Sequence, residues 1–161
     1  MKTIVLIRHA KSSWDENVGD IKRSLSSRGF SDANLVSKAF KTYHFYPDAV
    51  YSSPANRALT TCTIFMENLG LPTNKLFVED VLYDFGGNQV RRFINSLDDH
   101  FDKIMIFGHN HAFTSLANSF GDVYIDNLPT SGLAMIDFDN DHWKDLSHGK
   151  TRIVLTPKDF K

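Results

Sequence analysis

Six short apolar runs, rich in β-branched residues, punctuate the chain at residues 3–7, 49–52, 76–78, 103–107, 133–138 and 152–156. Each is too short for a helix and reads as a strand. The intervals between them carry a different period. In SSRGFSDANLVSKAFKTYHF, residues Leu35, Val36, Ala39, Phe40 and Tyr43 recur at helical spacing and predict one apolar face. PANRALTTCTIFMENLG opens on Pro54, which suits a first helical turn, and closes on Gly70, which suits a C-terminal stop. NQVRRFINSLDDHF and HAFTSLANSF supply two further helices. This alternation restricts the chain to an α/β class: a three-layer α/β/α sandwich around a mostly parallel central sheet. The last two strands are joined by DNDHWKDLSHGK, short and turn-rich enough for an antiparallel pair, which places an antiparallel edge on that sheet.

With 161 residues and no repeat or linker, the expectation is a single domain spanning 1–161. A net charge of −1 argues against a nucleic-acid surface or a polybasic membrane patch. No apolar run approaches the ~18 residues a membrane helix needs, and MKTIVLIRHAK enters a strand with no small-residue cleavage site after it. A cytoplasmic protein is expected. The one cysteine, Cys62, permits neither an internal disulfide nor a thiolate cluster, and its place inside a helix predicts a buried structural thiol.

In open α/β sheets, ligands gather at the carboxyl ends of parallel strands. Three such ends carry polar groups: Arg8-His9 after the first run, SSPANR (52–57) after the second, and GHNH (108–111) after the fourth. Arginines and histidines converging on one rim without an obligatory carboxylate describe an anion pocket, because guanidinium binds phosphate through paired, charge-assisted hydrogen bonds. Helix starts after Pro54 and near His111 would add backbone donors. Nearby cations disfavour a charged histidine, and the neutral imidazole left behind is a nucleophile for phosphorus.

Four segments, LIRHAKSSWDEN, YSSPANRALTT, FGHNHAF and LPTSGLAMIDF, together resemble the histidine phosphatase superfamily, with its phosphoglycerate-mutase-like fold. The short chain and the RHAKSSWD form of the first motif look most like its small SixA-like phosphohistidine phosphatase branch. The resemblance implies that His9 is the nucleophile that becomes phosphorylated. It implies that Arg8 and Arg57 bind the phosphoryl oxygens, that His109 contacts the same group, and that Ser52 or Asn110 hydrogen-bonds nearby. Two departures are local: Ala10 follows the first histidine where glycine is usual, and Ser24 stands where many relatives have proline. Larger members carry an acid on an inserted segment to protonate the leaving group, and this chain has no room for it.

That missing insertion bears on the substrate. An alkoxide is very basic (bulk water itself titrates near ~15.7) and needs a proton donor, whereas histidine titrates near ~6.5 and a protonated phosphohistidine ring leaves as neutral imidazole. The expected function is therefore a phosphatase acting on phosphohistidine in a protein through a covalent phosphohistidine enzyme. The alternatives are a phosphatase of small phosphate esters and a non-catalytic phosphate-binding module. If an acid takes part, Asp15, Glu16, Asp20 and Asp84 are the candidates, and the sequence does not choose among them. HNH (109–111) could suggest zinc, but a third ligand is not evident and the cationic neighbours oppose a divalent ion; no metal and no cofactor is expected. DFDNDHW (137–143) lacks the glycine and glutamate of a calcium loop and reads as a turn. Trp14 and Phe85 could rim the pocket. The expected partner is a phosphorylated protein or a small phosphorylated substrate, not nucleic acid or membrane, met by a monomer.

Overall fold

The chain runs β1 (Lys2–Arg8), α1 (Ser27–Lys41), β2 (Ala49–Ser52), α2 (Asn56–Leu69), β3 (Leu76–Val78), α3 (Asn88–Asn95), β4 (Lys103–Gly108), α4 (Ala112–Phe120), β5 (Leu133–Phe138) and β6 (Lys150–Leu155). A computed structural model describes all residues, 1–161. The strands form one sheet in the order β3-β2-β4-β1-β5-β6. The first four neighbours pair in parallel, and β5 runs antiparallel to both β1 and β6. The antiparallel pairing expected at the edge therefore passes through one reversed strand lying just inside β6.

Strand side chains alternate between faces, and β1 divides its residues accordingly. Ile4 and Leu6 pack with Val90 and Ile94 of α3 and Phe113, Leu116 and Phe120 of α4. Val5 and Ile7 pack with Val36 and Phe40 of α1 and Cys62, Phe65 and Met66 of α2. Helices thus cover both faces, giving the α/β/α layering. No helix is long and apolar enough to cross a membrane. Cys62 is fully buried, which pushes its thiol up to about 12.

Local differences from the sequence pattern have identifiable causes. β1 runs one residue past its apolar run at each end and β4 one residue past its own, because Lys2 pairs with Phe138 and Arg8 pairs in register with Gly108 and donates its backbone N–H to Gly132. β6 starts and stops earlier than 152–156. Its first residues pair with Ile136 and Asp137 past a bulge, while Thr156 leaves the strand to form a capping box with Asp159. In α1 the buried stripe is Gly29, Ala33, Val36 and Phe40 together with Asp32 and Ser37. Leu35 and Ala39 are only half-buried, and Tyr43 lies beyond the helix, exposed. The stripe tolerates its two polar members because both are satisfied: Ser37 bonds Asn34 and Asn68, and Asp32 pairs with Arg28 and Lys161. Pro54 stands before the N-cap Ala55 instead of in the first turn, and Gly70 closes α2 at φ 70°, a left-handed conformation that costs glycine little.

Candidate active site

β2, β4 and β1 are adjacent and parallel, so the loops leaving their carboxyl ends meet on one rim. Backbone bonds tie them together: His9 N–H donates to Gly108 O (3.0 Å) and Ser53 N–H to Phe107 O (3.0 Å). The loop before β5 closes the fourth side. Ser131 N–H donates to His9 O (3.1 Å), and Arg8 Nη1 donates to Leu128 O (2.9 Å).

His9 is nearly buried, and its Nδ1 lies 2.7 Å from Ala10 O. A carbonyl only accepts, so Nδ1 carries the proton and Nε2 the lone pair. Burial, then the charges of Arg57, Arg8 and Arg23, push the ring's pKa down to about 4 against the pull of that carbonyl. The ring is neutral near pH 7. Cations were the expected cause, and burial outweighs them. His109 is fully buried, with its ring centroid 5.3 Å from that of His9 and its Nε2 2.8 Å from Ser53 Oγ. Burial, then His9 and Arg57, push it down to about 3. The rings of Tyr83 and Phe85 pack on it at 5.3 and 4.9 Å.

Arg57, in the first turn of α2, is buried and donates to the backbone O of Asp20 (2.7 Å) and to its Oδ2 (3.0 Å). Arg23 bonds the other carboxylate oxygen at 3.2 Å and lies under the ring of Trp14. Tyr83 donates its phenol proton to Asp20 Oδ2. That bond first, then Arg57 and Arg23, hold the Asp20 carboxyl down to about 2 even though burial opposes them. The resulting pocket, about 250 Å³, is lined by Arg8, His9, Lys11, Arg23, Arg57 and Asp20, with Trp14 and Phe85 at its walls. Arg8 Nε, His109 Nδ1 and Ser131 Oγ are buried without a protein hydrogen bond, and all three belong to this rim. Buried unpaired polar atoms are costly and mark positions that a ligand can satisfy.

Of the residues singled out from sequence, Arg8, His9, Arg57 and His109 are brought together, and Asp20 joins them. Others are directed elsewhere. Ser52 is buried and donates to Ser53 O; as the last residue of β2 it points away from the face Ser53 takes. Asn110 accepts from Thr114 N and Oγ1 and donates to Asn127, so it braces the start of α4. Asp84 accepts from the N–H groups of Gly86, Gly87, Gln89 and Val90, capping α3. Asp15 is exposed outside the pocket, and Glu16 accepts from Ser24 N. His111 is exposed at the N-cap of α4, and Asp137 of the 137–143 segment is paired with Arg152. Sequence reasoning missed Ser53, Arg23 and Tyr83. Strand alternation after Ser52 could have indicated Ser53. Nothing local points to Tyr83, which reaches Asp20 across 63 positions.

Residues 4–77 match the family model of the histidine phosphatase superfamily, branch 1. An uncharacterized Mycobacterium tuberculosis protein is 27% identical over 158 residues, spanning 92% of this chain and 96% of that one. Phosphoglycerate mutase 1 of Saccharomyces cerevisiae is 33% identical over 81 residues, 47% of this chain and 33% of the enzyme. Among solved structures, the SixA protein of Agrobacterium tumefaciens, described as a candidate phosphohistidine phosphatase, superposes with a TM-score of 0.80 at 22% identity, over 97% of this chain and 98% of that one. A protein histidine phosphatase SixA complexed with tungstate gives 0.80 at 19% identity, over 99% of both chains. At these identities the likeness is one of fold.

Proposed function

We propose that the chain is a phosphatase of the histidine phosphatase superfamily, whose family model residues 4–77 match, with His9 as nucleophile, and that its substrate is phosphohistidine in a protein. The observation that carries the reading is the His9 ring: neutral, with Nδ1–H spent on Ala10 O and Nε2 left with its lone pair among arginines. In the first step Nε2 attacks phosphorus in line, an Nε2–P bond forms, and the bond from phosphorus to the substrate imidazole breaks. The leaving ring, already protonated from water, departs neutral. Water then attacks the phosphoryl enzyme; a P–O bond forms, the Nε2–P bond breaks, and the electron pair returns to Nε2 as phosphate leaves.

Arg57 spends two of its five donors on Asp20, which leaves three for phosphoryl oxygens. Arg8 Nε–H, buried and unpaired, suits an oxyanion better than any group around it. Asp20 supports the choice of substrate. Held as a carboxylate by Tyr83 and two arginines, it is a poor proton donor at neutral pH, and an imidazole leaving group needs none from the protein. The same reading takes the protein to be a cytoplasmic monomer, whose mass in solution sizing by light scattering checks.

A panel of phosphohistidine peptide, 3-phosphoglycerate and a simple alkyl phosphate, run on wild type and His9→Ala, tests the proposal. Faster turnover of the alkyl esters sinks the phosphohistidine substrate; an active His9→Ala removes the mechanism. Brief exposure to substrate followed by intact-mass analysis should trap an acid-labile phosphoryl group on His9. Phosphate binding without turnover of any substrate would favour a non-catalytic module.

A further inference from the structure

Next to the catalytic pocket, and sharing Thr130 with it, runs a larger groove of about 550 Å³. No aliphatic or aromatic side chain and no Asp or Glu side chain lines it; its charged side chains are Arg28, Lys158 and Lys161. Arg28 and Lys161 both contact the buried Asp32, at 3.3 and 2.9 Å. Lys158 is exposed and pairs with no carboxylate. The chain as a whole carries a net charge of −1. Yet these two adjoining depressions present four cationic side chains in the first and three in the second, against one lining acidic side chain, Asp20, with the buried Asp32 behind Arg28 and Lys161. Charge is therefore segregated onto this face, and a concave surface of one sign draws the opposite sign to it.

The groove suits one kind of occupant. Its lining holds two prolines but no aliphatic or aromatic anchor of the kind that seats the apolar face of a helix. Its walls are Pro129 and Pro157, which are stiff, and its hydrogen-bonding groups are Asn127, Thr130 and Thr156. A chain segment whose phosphoryl group sits at His9 passes over Thr130 into it directly. We propose that the groove holds an acidic stretch flanking the phosphorylated histidine of the protein substrate, an inference that rests on the phosphohistidine reading above. Carboxylates of that stretch meet Lys158 and Arg28. Exposed pairs are individually weak and screened by salt, so the selectivity appears in KM and in ionic-strength dependence.

The test uses two synthetic phosphohistidine peptides, one with Asp and Glu on the flanks and one with Asn and Gln in the same places. Free phosphohistidine is the third substrate, and wild type is compared with Lys158→Glu. Wild type should show a KM about five-fold lower for the acidic peptide, with the gap closing as salt is raised. Lys158→Glu should erase or invert the preference and leave free phosphohistidine turnover unchanged. Equal KM values for the two peptides in wild type, or a preference that survives Lys158→Glu, overturn the groove assignment alone. If neither peptide nor free phosphohistidine is hydrolysed while an alkyl ester is, the phosphohistidine reading falls and takes the acidic-segment proposal with it. Discrimination among small phosphates by a second anionic group, lost in Lys158→Glu while the peptides are not told apart, reassigns the groove to a small molecule and overturns the proposal.

Discussion

Ser53 Oγ lies 2.8 Å from His109 Nε2, so the turn after β2 fixes the direction of a ring that follows β4. Both side chains are fully buried, and Ser53 Oγ also accepts from Ala55 N at the start of α2. Removing the hydroxyl leaves a buried ring nitrogen unpaired, which costs about 1–3 kcal/mol. Ser53→Ala should therefore lower thermal stability and reduce kcat about ten-fold with a smaller change in KM. Ring-nitrogen NMR of His109 reads the positioning role directly: its shifts should move in Ser53→Ala while those of His9 stay put. An unchanged His109 spectrum with reduced kcat would count against positioning through this bond.

Asp20 faces the same pocket as an anion, bonded to Arg57, Arg23 and Tyr83. A carboxylate there repels an incoming phosphoryl dianion and competes for Arg57. Asp20→Asn should strengthen inhibition by inorganic phosphate about five-fold and leave kcat on phosphohistidine within about three-fold. A collapse of kcat on phosphohistidine by orders of magnitude would instead make Asp20 the proton donor that the leaving-group argument dispenses with.

How far the sequence carries the site depends on what each residue needs in order to be placed. Arg8, His9, Arg57 and His109 lie at the ends of runs whose apolar period already defines strands and helix starts, and adjacency in a parallel sheet does the rest. The layering follows in the same way from β1, where Ile4 and Leu6 serve one face and Val5 and Ile7 the other. Roles set by side-chain direction or by remote partners are less accessible. Ser52 and Ser53 share a motif, and only the pleat decides which one meets His109. Asp84 reads as a possible acid in the sequence, but four backbone N–H groups around the start of α3, those of Gly86, Gly87, Gln89 and Val90, occupy its carboxylate. Asp20 becomes distinct from Asp15 only once Tyr83 and Arg57 reach it across the fold.

The pH dependence follows from the two histidines. Both are depressed on folding, from the ordinary 6.5 to about 4 for His9 and about 3 for His109, with burial the leading cause. Below 6.5 the unfolded chain takes up protons at these rings that the folded chain refuses, so stability is fully present above 6.5 and declines as pH falls toward the folded values. Asp20 adds a loss in the same direction at lower pH, as it is protonated near 2 instead of 3.8, though its exposure screens the effect. Melting temperature should drop between pH 7 and pH 4, and the drop should be shallower in His109→Gln. kcat/KM, corrected for spontaneous hydrolysis of the substrate, should show no loss as pH falls through 6.5, where the substrate ring takes up its proton, and should fall only on approaching about 4. An acid limb centred on 6.5 would contradict a buried neutral nucleophile.

Gly29 links α1 to the pocket wall. A Cβ at this position would lie 2.1 Å from the Lys11 carbonyl oxygen, and that oxygen is pinned by Ser26 N–H at 2.9 Å and Ser26 Oγ at 3.1 Å. Neither backbone can yield without loosening the N-cap, where Ser26 Oγ also receives Gly29 N–H. Gly29→Ala should thus push the first turn of α1 off the segment that carries Lys11, destabilising the fold by about 1–3 kcal/mol. For a chain of this length each kcal/mol is worth about 2–4 °C in Tm. Since Lys11 lines the pocket two residues after His9, KM should rise in the same variant. Gly19→Ala is the control: a Cβ there meets nothing within 4 Å, and its backbone is not left-handed. Equal melting temperatures for the two variants would show that the contact between α1 and Lys11 yields freely, and that the pocket wall does not depend on it.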